Sequence, residues 1–167
     1  MRPLFFIFST FILQALANFS DAQISQAVPP SAPLLSPKVE TARISALETQ
    51  TACMRFVQMN VFEFEECIGD RLHNKQLNTA ERLGITYMGL VGAMSAQRMG
   101  SQGSHRMAWV YAHKTLKLQK KLGLQNKQLC DVVPGDCETR MARTELILKE
   151  PAPAHLTESE IATVHRH

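Results

Sequence analysis

Aromatic side chains are scarce in this chain: they make up 7% of it, with one tryptophan and two tyrosines. No interleaved aromatic platform for stacking bases accompanies its lysines, and no nucleic-acid-binding motif does either. Nucleic acid is therefore not expected as a partner. No Cys-x-x-Cys occurs, so neither a thiol oxidoreductase nor a covalent haem site is indicated. His-Glu-x-x-His, a phosphate-cradling glycine loop and a nucleophile elbow are also missing. No apolar run reaches the roughly 20 residues that span a bilayer. Acidic residues are absent between Arg98 and Lys127, a stretch that carries seven basic ones. These absences leave no catalytic residue, metal ligand or cofactor to assign.

The longest apolar run, Leu4 to Leu16, follows the basic start Met1-Arg2 and precedes two small-residue exits, Ala15-Leu16-Ala17 and Ser20-Asp21-Ala22. That layout predicts a secretory signal peptide over residues 1–22, cleaved before Gln23, with cleavage before Asn18 as the alternative. No cysteine lies near either exit, which argues against a lipid anchor. Cleavage removes one basic and one acidic residue, Arg2 and Asp21, so the mature chain keeps the net charge of +3. Residues 23–37, with Pro29, Pro30, Pro33 and Pro37, read as an extended leader. Residues 38–150 are enough for one modest core. Residues 151–167 read as a flexible tail, despite a capping-box pattern at Thr157-Glu158-Ser159-Glu160. The expected location is exported: periplasmic or secreted.

The core reads as all-α, a small bundle of about four to five helices around a central antiparallel hairpin. Leu47, Met54, Val57, Val61, Phe64, Ile68 and Leu72 recur at helical spacing and predict one long first helix from about Lys38 to Leu72, against which the rest packs. Pro37 suits its first turn, and a break near Glu48–Thr51 is allowed by two threonines. Asn78-Thr79-Ala80-Glu81 has the form of a capping box and opens a second helix running to about Met99. Gly89, Ala93, Ala96 and Gly100 lie along one stripe, predicting close approach of another backbone. Ser104 is placed to cap a third helix, ended by Gly123 at about Leu122. Leu83-Gly84, Tyr87 and Ala96 stand at offsets resembling the first helix and turn of a tetratricopeptide repeat. Gly100, Gly103 and Ala108 then occupy positions where that repeat has an aromatic, an alanine and a proline. With no regular period following, the segment reads as an ordinary helical hairpin. One more helical turn is expected at Gln125–Leu129, and a last helix over Cys137–Lys149 capped by Asp136.

All four cysteines, Cys53, Cys67, Cys130 and Cys137, fall in the core, and an even count in an exported chain predicts two disulfides. Along an unbroken helix, fourteen residues rise about 21 Å, whereas bonded cysteines need α-carbons about 5.5 Å apart. The preferred pairing is Cys53–Cys137 with Cys67–Cys130, a late ribbon riveted along the first helix; the alternatives are the parallel pairing and a local Cys130–Cys137 loop around Pro134-Gly135. That ribbon would supply the rigid platform behind a docking surface.

The docking surface is read from charge. Lys114, Lys117 and Lys121 recur at helical spacing on the third helix, with Lys120 beside them. Arg106 and the pair Trp109 and Tyr111 lie nearby, and together these seven residues form the expected binding set. The function this predicts is a non-enzymatic adaptor, inhibitor or immunity-type protein that docks an envelope or secreted protein with an acidic surface. Two alternatives carry their own signatures. A small envelope hydrolase would use Glu63 or Glu66, in a cleft rather than on a solvated face with Glu65 and Asp70. A copper-handling protein would use Met88, Met94, Met99 and Met107 with His105 as soft ligands, with His165 and His167 as weaker candidates.

Overall fold

The computed structural model describes residues 35–157 and Glu160. The expected signal peptide, the leader up to residue 34 and the tail beyond Glu160 lie outside them. Every regular element among the described residues is helical. They are α1 (Pro37–Cys53), a 3-10 turn (Met54–Gln58), α2 (Val61–His73), α3 (Thr79–Arg98), α4 (Ser104–Leu122), α5 (Asn126–Val132) and α6 (Cys137–Lys149). The expected small helical bundle is present, with six α-helices instead of four to five.

The extra helix comes from a break in the first one. α1 begins where expected, with Pro37 in the first turn and the Ser36 hydroxyl accepting from Val39 N–H. It ends at Cys53. After the 3-10 turn, Asn60 adopts an extended conformation (φ −157°, ψ 113°) and its side chain accepts from Phe62 N–H at 3.0 Å, capping a new helix. The chain reverses there: Cys53 meets Cys67, and Arg71 near the end of α2 donates to Thr49 Oγ1 at 3.0 Å. One long rod is thus replaced by an antiparallel pair. The expected apolar seam holds at Val57, Val61, Phe64 and Ile68, which are buried, and fails only at its start. α1 buries the small stripe Val39, Ala42, Ser45, Ala46 and Thr49, while Leu47 is 44% exposed.

This reversal also corrects the disulfides. The bonds are Cys53–Cys67 and Cys130–Cys137, with α-carbons 5.8 Å and 5.3 Å apart, and no cysteine is free. The preferred pairing, Cys53–Cys137 and Cys67–Cys130, fails because it assumed a continuous helix across residues 54–60. The paired state of all four cysteines places the folded chain in an oxidising environment. No described helix is long and apolar enough to cross a membrane.

The bundle is organised around α3, not around the first helix. From Leu83 to Leu90 every residue of α3 is buried, and Gly92, Ala93, Met94 and Ala96 continue the run. A helix apolar all round must be enclosed on several sides, and α1, α2 and α4 enclose it. Its predicted capping box is present in full: Asn78 Oδ1 accepts from Ala80 and Glu81 N–H, and Glu81 Oε2 accepts from Asn78 N–H. The close approach of a second backbone occurs at Gly84, where an added Cβ would stand 2.0 Å from the Ala42 carbonyl oxygen of α1. The predicted Gly89 stripe faces side chains instead: Gly89 abuts the Tyr111 ring, and Gly100 lies past the helix end at φ +74°. Gly92, outside that stripe, receives the fully buried Phe64 ring of α2.

Gly103, at φ +83°, precedes α4 in place of the expected Ser104 cap, and the Ser104 hydroxyl turns back to the Ser101 carbonyl. Gly123 ends α4 in the left-handed conformation, as the sequence predicts. Buried Gln119 then donates to the Leu124 carbonyl at 3.1 Å and to Asn126 Oδ1 at 2.8 Å, tying α4 to α5. Asp136 caps α6 by accepting from Thr139 N–H at 3.2 Å. These hydrogen bonds to the side chain and backbone of Thr139, with the nearby charges of Arg140 and Arg98, hold the Asp136 carboxyl below its usual range. Arg140 folds back to donate to the Val133 and Pro134 carbonyls inside the loop that Cys130–Cys137 closes.

Candidate functional site

The seven expected docking residues divide into two groups along α4. At the C-terminal end Lys117, Lys120 and Lys121 are exposed. Lys38, at the start of α1, reaches the same end and donates from Nζ to the Leu122 carbonyl at 3.1 Å. Exposed Lys127 opens α5 directly afterwards. Cations at a helix C-terminus sit well against its macrodipole, so this basic end costs the fold little.

The N-terminal group is covered, which removes Trp109 and Tyr111 from the expected docking set. Trp109 and Tyr111 are 4% and 5% exposed. The Trp109 indole N–H donates to the Glu150 carbonyl at 3.2 Å, and its ring leans on His113 with centroids 4.1 Å apart. Arg106 is engaged on both arms. Its Nη2 donates to both carboxylate oxygens of Glu65 on α2, at 2.7 and 2.5 Å, and its Nη1 donates to Glu160 of the tail. Lys114 is half-buried over the Tyr111 ring at 5.6 Å. Burial lowers the Lys114 pKa, while Glu160 and Glu65 oppose that shift. Burial likewise raises the Tyr111 phenol, and Glu65 adds to the rise. Helical spacing turns Trp109 and the Tyr111 edge towards the core, where they lie, and the basic residues to the other side; there Arg106 and Lys114 are covered through Glu65 of α2 and Glu160.

That cover was the part least visible in the sequence. Glu65, which the sequence places among the solvated carboxylates of the first helix, is half-buried and holds Arg106. In the tail, most described residues are exposed, and Leu156 and Glu160 reach the bundle. Leu156 packs on the core, and Thr157 caps a turn in which Glu160 Oε2 accepts from Thr157 N–H at 2.7 Å. The capping-box pattern was the available signal for this turn.

The signatures of the two alternatives fall elsewhere. Glu63 and Glu66 are exposed on α2, and Glu63 accepts from the Asn60 amide at 3.3 Å. Neither lines the open groove of about 660 Å³ between α1, α2 and α3, whose walls include Ile44, Glu48, Asp70, Arg71 and Ile85. Met88, Met94 and Met107 are each 1% exposed in the core, whereas Met99 is 52% exposed, so the four share no accessible face. His105 stands among polar neighbours, 3.2 Å from Gln97 Nε2 and 3.6 Å from the Glu150 carboxylate. Among the described residues no three His, Cys, Asp or Glu side chains form a group able to hold a metal; His165 and His167 lie outside them.

No protein family, curated protein or solved structure matches the chain.

Proposed function

We propose that this is an exported, periplasmic or secreted, non-enzymatic binding protein that docks an envelope or secreted protein with an acidic surface. Its contact residues are Lys117, Lys120 and Lys121 at the C-terminal end of α4. The observation that supports this reading is their exposure on a helix whose opposite side is fixed in the core through Met107, Ala108 and Ala112. The rigidity behind the surface comes from α3 packing on α4, since neither disulfide touches α4. The signal-like N-terminus and the two disulfides support the location.

The test is affinity capture from the envelope fraction with the native chain and with Lys117→Glu/Lys120→Glu/Lys121→Glu. The expected result is a partner retained by the native chain, released by raised salt as surface electrostatics require, and not retained by the variant at unchanged helical content. Equal retention by both chains would remove the basic end of α4 from the function.

A further inference from the structure

The open groove of about 660 Å³ between α1, α2 and α3 shares no residue with the basic end of α4. Its volume falls in the range of small-molecule sites. Two links between α1 and α2 fix its width. One is the Cys53–Cys67 bond. The other is Arg71, which donates from Nη2 to Glu48 and from Nε to Thr49 Oγ1, each at 3.0 Å. α3, the third wall, is held close to α1 at Gly84. The groove is therefore formed by the fold before any ligand arrives.

Its charge is opposite in sign to that of the whole chain. Glu48, Asp70 and Glu81 line it with a single cation, Arg71, which is already paired with Glu48. Two carboxylates are left over. Asp70 has no ion pair or hydrogen bond among the described residues, and Glu81 uses one oxygen on the Asn78 N–H of its capping box. A separate observation concerns Ser45. It is 7% exposed and lines the groove, yet its hydroxyl has no hydrogen-bond partner among the described residues. A buried hydroxyl left unpaired is costly, and this one gives onto a space where a bound donor can complete it.

The arrangement selects the shape of the cation. Among the described residues no three His, Cys, Asp or Glu side chains converge into a group able to hold a metal ion. A compact cation is therefore poorly served, whereas one whose charges are spread along a chain meets the carboxylates separately. Ile44, Leu77 and Ile85, the apolar part of the lining, suit the methylenes between such charges.

We propose that this groove binds an aliphatic polyamine. Its ammonium groups donate to the carboxylates of Asp70 and Glu81, and an N–H donates to the Ser45 hydroxyl oxygen. Its methylenes cover Ile44, Leu77 and Ile85.

Isothermal titration calorimetry of the full native chain with spermidine tests this. Salt is held at about 0.15 M to screen diffuse attraction. The expected result is one saturable site. Pentylamine, which offers a similar stem with one ammonium, should bind about tenfold more weakly, the loss of one charged contact. Asp70→Asn, a change at an exposed position, should weaken spermidine binding about tenfold, and Ser45→Ala about threefold, both at unchanged helical content. No saturable binding up to about 1 mM spermidine overturns the proposal. So does an affinity unchanged by Asp70→Asn or by Ser45→Ala. Pentylamine binding as tightly as spermidine marks a pocket for a single lysine-like side chain, and displacement by equimolar magnesium ion marks diffuse attraction; either result overturns it as well. The triple lysine variant should bind spermidine as the native chain does, so this site and the basic end of α4 fail or stand separately.

Discussion

Gly84 sets the distance between α1 and α3. With the Ala42 carbonyl 2.0 Å from where a Cβ would be built, the neighbour in the way is backbone and cannot rotate aside. Gly84→Ala should therefore destabilise the protein by about 3 kcal/mol, the upper end of the usual range for overpacking, seen as a lower denaturant midpoint. Gly69 provides the contrast within the same fold. It sits inside α2 with nothing within 4 Å of a built Cβ, so only the conformational cost of glycine in a helix applies. Gly69→Ala should stabilise by about 0.5–1 kcal/mol in the same measurement. Sequence patterning alone does not separate these two glycines, because both occupy helix interiors beside apolar residues. What distinguishes them is the smallness of Ala42 and Ala46 across the interface, a property of the pairing of helices.

The boundaries of most elements were legible because their signals are local. Pro37, the Asn78 and Glu81 box, Gly123 and Asp136 each act within four residues of themselves, and each stands where the sequence places it. The α1–α2 reversal was missed because its signal, Asn60 before Val61, is a single residue inside a strong apolar period. Val57, Val61, Phe64 and Ile68 keep helical spacing across the turn, and all four are buried, so periodicity alone cannot reveal that the chain has changed direction. Asn60→Ala should remove the cap of α2 and cost about 1 kcal/mol, measured by denaturant unfolding with the disulfides intact. The docking residues were half legible for a related reason. Helical spacing puts Trp109 and the Tyr111 edge towards the core and the basic residues on the other side of α4, but that Arg106 and Lys114 are covered as well depends on Glu65 and Glu160, which are distant in sequence.

At the scale of the whole molecule, the two disulfides differ in access. Cys53 is fully buried and only its mate Cys67 is partly exposed, whereas Cys130 and Cys137 are both partly exposed at the α5–α6 corner. Thiol exchange requires the attacking thiolate to reach sulfur. Under native conditions a small thiol reductant should open Cys130–Cys137, where either sulfur can be attacked, faster than Cys53–Cys67, where only Cys67 is partly exposed; differential alkylation followed by mass spectrometry reads the order. Simultaneous labelling of all four cysteines in the folded protein would contradict this. Each bond closes a short span, with sequence separations of 14 and 7, and the spans do not overlap. Loop entropy alone assigns them about 2.5–3 kcal/mol apiece. Non-overlapping spans also bear on biosynthesis: as the chain emerges from its N-terminus, each cysteine to appear second finds its correct mate already waiting. An oxidant that joins thiols in order of arrival produces the native bonds directly, with no isomerase needed to undo an earlier mistake.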